Sequence, residues 1–254
     1  MKTMRRSIIL AIVLAVTAAP AAAFAQQDTG GRDATTTSTV TDERDHRLLD
    51  ELKARALQMI DHQLDALGRL RSAIGNSAHI TDDHAVQLLG DISAAAADLE
   101  QLAREVEAAT TVPEVWQLIR QIPGFQIGNV LAPKTHQVIA SDSLVAFGGK
   151  LDRFAAKLEG LITRAEENGH DVDEAWRMLE DMNGQIAEGV RSADPVAESV
   201  IGLQADDWPD PAQSVLGAGR RDLHAAGQSL RVAFGTGKGI VEILRNLFDA
   251  ASDV

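Results

Sequence analysis

Residues 43–76, ERDHRLLDELKARALQMIDHQLDALGRLRSAIGN, carry Leu49, Leu52, Ala56, Ile60, Leu64, Leu67, Leu70 and Ile74 at steps of three and four. That spacing lines one face of an α-helix and cannot serve a strand, whose faces repeat every two residues. Gly75-Asn76 supplies a stop. Thr81 then caps a second helix, with Asp82 and Asp83 in the first turn, where the helix dipole favours acid. Its stripe is Val86, Leu89, Ile92, Ala96, Leu99, Ala103 and Val106. Two long striped helices with a short connection fold back as an antiparallel hairpin.

The same grammar continues downstream. Thr111 and Pro113 start a shorter helix that Pro123-Gly124 ends. Residues 125–133, FQIGNVLAP, lack helical period and read as a buried crossing or a short strand-like segment. A long helix follows over 134–167, striped by Val138, Val145, Gly148, Leu151, Ala155, Leu158, Ile162 and Ala165, and Asn168-Gly169 stops it. Asp171 and Glu174 have capping-box spacing for the next helix, in which Pro195 predicts a kink or a split. Pro211 opens another, carrying Val215, Gly219, Leu223, Ala226, Leu230 and Ala233. Gly235, Gly237 and Gly239 predict its end and a sharp turn into a short C-terminal amphipathic helix. There Ile240, Ile243, Leu244 and Leu247 share a face, with Phe248 beside it, as a candidate interaction helix. Such a short helix is marginal alone in water, so its face needs its own bundle, a second copy or a membrane. Its polar side shows Glu242, Arg245, Asp249 and Asp253, which disfavours the membrane. The expected fold is all-α: an elongated bundle of long antiparallel helical hairpins plus that short helix.

The N-terminus reads as a secretory signal over residues 1–25. Lys2, Arg5 and Arg6 precede an apolar run from Ile8 to Ala19, Pro20 breaks it, and Ala23-Phe24-Ala25 has the small-x-small cleavage pattern. An uncleaved anchor is the rival reading, although the run is short for a span of roughly 20 residues. Residues 26–42, QQDTGGRDATTTSTVTD, hold no Leu, Ile or Phe and read as a disordered spacer. Residues 43–254 read as one helical domain, with a sub-boundary conceivable at 110–133. The chain has no Cys, which excludes disulfides, thiolate metal sites, thiol catalysis and a cysteine-anchored lipoprotein. Loss of residues 1–25 leaves 21 Lys and Arg against 37 Asp and Glu, a balance of −16. With no basic patch, nucleic acid and anionic membrane surfaces are poor partners. Abundant Ala with no Tyr and few Phe and Trp suits helices packed through small seams.

The segment PKTHQVIASDSL, residues 133–144, follows a Pro-Gly turn and opens a long helix. In that setting it resembles a stretch in a loose group of secreted, Ala-rich helical bacterial proteins, over roughly residues 45–230. The resemblance implies export and helical hairpins; it implies no site.

Motifs that would carry chemistry fail on inspection. Gly237-Lys238 would end a phosphate-binding P-loop, but Val232 stands where the first Gly belongs and Gly239 where Ser or Thr should hold Mg²⁺. His79, Asp82, Asp83 and His84 cluster, yet His79 precedes the helix and the spacing is not that of a helical metal pair. His170, Asp171 and Asp173 lack the twelfth-position Glu of a calcium loop, where Met182 stands. Lys134 and His136, in the first turn of a helix, are candidates for an anion or partner contact. No cofactor, metal or catalytic constellation is expected, and the chain reads as a non-enzyme. A secreted or cell-envelope structural or interaction protein, with a protein partner or self-association, is the leading expectation. A bundle that binds a lipid or other apolar molecule is the alternative. N-terminal sequencing of secreted protein is expected to start at Gln26; a start at Met1 in a membrane pellet would contradict the export reading.

Overall fold

In a computed structural model of the chain, the backbone is described for residues 35–252 and the side chains for residues 43–249. The export signal and residues 26–34 lie outside the described residues. The chain divides into two units, Met1–Asp42 and Glu43–Val254. The second holds every described side chain. Among the described residues there is no strand, and six α-helices carry the fold: α1 (Thr35–Gly75), α2 (Asp82–Ala108), α3 (Val112–Ile119), α4 (Ala132–Glu167), α5 (Asp173–Ile201) and α6 (Ala212–Ser252). No described helix is long and apolar enough to cross a membrane. Helix α1 begins at Thr35, within the segment that composition assigns to a spacer.

Side-chain bonds fix the directions. Lys53 Nζ donates to the Glu107 carbonyl at 2.9 Å, and an Arg71 guanidinium nitrogen donates to Ser93 Oγ at 3.0 Å, so α1 and α2 run antiparallel, as expected. Helices α4, α5 and α6 run up, down and up. Ser141 on α4 meets Ala193 on α5, while Gly189 and Gly237 meet Leu230 and Met182 across the α5–α6 seam. At about 1.5 Å per residue, the 36 residues of α4 span about 54 Å.

The apolar stripes become two cores. One gathers Ile60, Leu67, Leu88, Leu99, Val115, Ile122, Val130, Val200 and Leu216, and so joins α1–α3 to the α4 start, the α5 end and the α6 start. The other lies between α4, α5 and α6 alone, around Leu158, Ile162, Met182, Ile186, Leu230 and Ile240. Residues 110–133 do not separate units: Val115, Ile122, Ile127 and Val130 are buried in the first core. The expected stripe of α2 is buried or packed on the first core from Leu89 to Val106, but its first member, Val86, is 72% exposed, and Leu88 is buried instead.

Three local expectations meet a different outcome. Residues Ile127–Leu131 form a π-helical turn running into α4 rather than a strand-like segment, entered through Gln126 in the left-handed region at φ 47°. Asp171 does not close a capping box: it accepts from Asp173 N at 3.2 Å, and Val172 is the N-cap of α5. Pro195 neither splits nor ends α5. It and Arg191, whose carbonyl loses its intrahelical donor, are both exposed, so water can satisfy that carbonyl. Buried Val196 and Ala197 hold the helix beyond it in the bundle.

The largest correction concerns the C-terminus. Gly235, Gly237 and Gly239 lie inside the 41-residue helix α6, so there is no hinge and no separate short helix. The cause at Gly237 and Gly239 is close packing. A Cβ on Gly237 would lie 2.6 Å from Phe154 Cε1, and one on Gly239 would lie 2.8 Å from Met178 Cε. Gly189 does the same against Leu230 Cγ at 2.6 Å and the Ala226 carbonyl at 3.2 Å. Gly235 by contrast is exposed and open. Gly235→Ala is therefore expected to stabilise by up to about 1 kcal/mol, since Ala outranks Gly inside a helix. Gly189→Ala should lose about 1–3 kcal/mol through overpacking. Urea melts followed by circular dichroism check both; destabilisation by Gly235→Ala would restore the hinge.

Candidate functional site

The first half of α4 carries polar residues on its buried face. Lys134, Thr135, Gln137, Ser141 and Asp142 are all nearly shielded from water, Lys134 at 1% exposure. Each polar group that is buried must find a partner or cost stability. Lys134 Nζ lies 2.6 Å from Asp91 Oδ2 on α2 and donates to the Leu203 carbonyl, just past α5, at 2.7 Å. Thr135 Oγ1 donates to the Leu131 carbonyl at 2.8 Å. Ser141 Oγ donates to the Ala193 carbonyl at 2.8 Å, and Gln137 Nε2 to the Leu216 carbonyl at 2.9 Å. Gln137 Oε1 is buried without a hydrogen-bond partner, and lies against Gly219, where any Cβ would overlap it.

One turn further along, α4 meets the tip of the α1–α2 hairpin. Asp142 Oδ2 accepts from Thr81 N at 2.9 Å and lies 2.9 Å from His84 Nδ1. The other ring nitrogen, His84 Nε2, lies 3.3 Å from Glu198 Oε1 on α5. Burial of the ring pulls its pKa down. The hydrogen bonds to Asp142 and Glu198 and their negative charges outweigh that and raise it above the ordinary value. Thr81 also serves as the expected N-cap, accepting from His84 N at 3.3 Å. A neighbouring loop contact joins Lys150 Nζ and His79 Nε2 at 3.1 Å.

No protein family, curated protein or solved structure matches the chain. The chemistry must therefore be read from the residues themselves.

Of the two residues expected to meet an anion together, Lys134 is buried and paired with Asp91, while His136 is exposed. The structure does not bring them to one site. Beside Lys134, Asp91, Phe125, Leu131 and Leu203 line a cleft of about 190 Å³. The candidate interaction helix is the last part of α6. Ile240 and Leu244 are buried in the α4–α6 core, with Ile243, Leu247 and Phe248 packed against it. Phe248 stands edge-on to His170, with ring centroids 6.0 Å apart. His79 and His84 part company, one toward Lys150 and the other toward two carboxylates. Among the described residues no group of His, Asp and Glu is arranged to hold a metal.

The three Trp residues differ. Trp176 Nε1 donates to Glu166 Oε2 at 3.3 Å, and its ring packs on the α4–α6 core. Trp208 packs on the other core. Trp116, on α3, is 45% exposed. Helix α3 is held rigidly beneath it. Val115 is fully buried, and Thr111 with Glu114 closes a complete capping box. Backbone N–H groups of Thr110 and Thr111 donate to the Glu114 carboxylate and hold it below the usual range. Pro113, Gln117 and Arg120 join Trp116 along an open groove of about 530 Å³.

Asp91, Asp142 and Glu198 escape sequence reading as partners because they come from distant helices. One signal was present: Lys134, Ser141 and Asp142 occupy positions on the α4 apolar stripe. Polar residues on a core face announce a buried network. Removing Asp91 alone strands a buried cation, which costs about 3 kcal/mol. Asp91→Ala is therefore expected to destabilise more than Lys134→Met, which removes the charge and keeps the volume. Paired urea melts check the order.

Proposed function

We propose that this is a non-catalytic interaction protein of the cell exterior or envelope, and that it meets a protein partner through the outer face of α3. The observation that carries the reading is Trp116: a large aromatic side chain 45% exposed on a helix whose opposite face is locked into the core. Trp and Arg dominate the energetics of protein interfaces, and a preorganised platform loses little entropy when it binds. Arg120 lies one turn from Trp116, with Pro113 and Gln117 lining the same groove. The buried polar residues of α4 support the reading from the other side. Their hydrogen bonds run to neighbouring helices, as befits clamps of a scaffold. The expected export signal and the resemblance to secreted helical proteins support the location.

A photo-crosslinking residue at Gln117, in cells that make the protein, tests this. One discrete adduct is expected, and Trp116→Ala should abolish it while changing the melt by less than about 1 kcal/mol, as for a surface site. An adduct that survives Trp116→Ala, or none from a folded protein, would overturn the reading.

A further inference from the structure

The environment of His84 specifies the charge of its ring. Carboxylates at neutral pH only accept hydrogen bonds, and a neutral imidazole has a single N–H. Both ring nitrogens of His84 face carboxylates, at 2.9 Å for Asp142 and 3.3 Å for Glu198. Only the imidazolium satisfies both. Asp142 has 8% of its side chain exposed and, among the described residues, pairs with no Lys or Arg, so His84 is its counter-charge. The groups facing the ring are Asp142 from α4 and Glu198 from α5. On its own helix Asp82 and Asp83 share the first turn, and the nearby Lys150 is engaged by His79.

We propose that His84, Asp142 and Glu198 form a pH-gated latch. It fastens the tip of the α1–α2 hairpin to α4 and α5 while the imidazole is protonated, and loosens it when the proton leaves. The contacts join residues 58 and 114 positions apart in the chain, so they report tertiary docking and not local helix structure. Losing the proton removes one of the two ring bonds and leaves Asp142 without its cation. It leaves untouched the Thr81 N–H bond to Asp142, the bond of Gln87 to the Ile201 carbonyl, and the pair of Lys134 with Asp91 seven residues further along α2, all of which keep the hairpin attached. The release is therefore a loosening of the hairpin tip rather than its detachment.

The sign follows from the direction of the shift. A histidine whose folded pKa lies above its unfolded value of 6.5 contributes stability that is fully present below that value. The contribution is lost as pH rises through the raised folded value. Glu198 has 79% of its side chain exposed, so its arm is screened by salt, and the shielded Asp142 arm carries most of the latch.

Because the chain has no Cys, two labels can be placed cleanly. Val86→Cys on α2 and Gly202→Cys after α5 are both exposed, and a Cβ at Gly202 meets nothing within 4 Å. Spin-label distances on this pair are expected to be single and narrow at about pH 5.5, and to gain a broader component at about pH 8.5, the range that brackets an imidazole. With His84→Gln the distribution should be the same at both. In parallel, the His84 ring resonance should titrate above the unfolded histidine value of 6.5. Asp142→Asn should return it toward that value, and the milder Glu198→Gln should lower it less. A wild-type distribution unchanged with pH overturns the latch. So does a change with pH that persists in His84→Gln, or a His84 midpoint at or below 6.5.

Discussion

Lys134 places a full positive charge where almost none of its surface meets water, and the fold is arranged around making that tolerable. An ammonium group in such a place is costly unless neutralised and hydrogen-bonded. Asp91 supplies the opposite charge from α2, and the Leu203 carbonyl supplies an acceptor where the chain leaves α5. Three segments far apart in sequence must therefore arrive together. Any slip of α2 along α4 would separate the charges. The ion pair adds less to net stability than to register, since an apolar alternative would tolerate a shift that this pair forbids. Residues 122–131 cover the same region, with Val130 and Leu131 beside the Lys134 cleft.

Away from that point, the bundle is organised by how closely its backbones approach. Gly189, Gly237 and Gly239 admit Leu230, Phe154, Met182 and Met178 where a methyl group would collide. Interiors packed to crystal-like density leave no slack for such additions. The α4–α6 core is thus tight and apolar, while the neighbouring core is crossed by the polar seam of α4. The difference suits a molecule with a stiff shaft and a head whose hairpin is held partly by charge.

Much of this was legible in the sequence, and the failures have a common cause. Stripes such as Leu52, Ala56, Ile60, Leu67, Leu70 and Ile74 are written in a single helix, and so are caps such as Thr81 and Thr111. Periodicity and local hydrogen bonding are enough to find them. Gly237 and Gly239 were misleading because glycine has two uses, permitting a turn and permitting contact. The partner that decides between them, Phe154 or Met178, is elsewhere in the chain. At Pro195 the split does not occur, since a proline whose orphaned carbonyl faces water can stay in a helix that its neighbours anchor. The latch at His84 could be half seen. Its cap and its acidic neighbours are local, but Asp142 and Glu198 are brought to it only by folding. Val86, the first member of the expected α2 stripe, lies outside the core while Leu88 lies in it, although the rest of that stripe packs as its period implies.

Helix α6 serves both cores without interruption, through Leu216 at one end and Leu244 at the other. It therefore acts as a ruler. Deleting one residue within it would turn everything beyond by about 100° and draw it back by about 1.5 Å. Leu230 would leave Gly189, and Ile240 would leave its core, even if every substituted position remained apolar. Single point changes can be absorbed by neighbouring rotamers, but a change of length in α6 cannot. Length variation has room only at connections such as residues 76–79 and 168–171, where the chain changes direction, and less so at 202–211, where the Leu203 carbonyl must still reach Lys134.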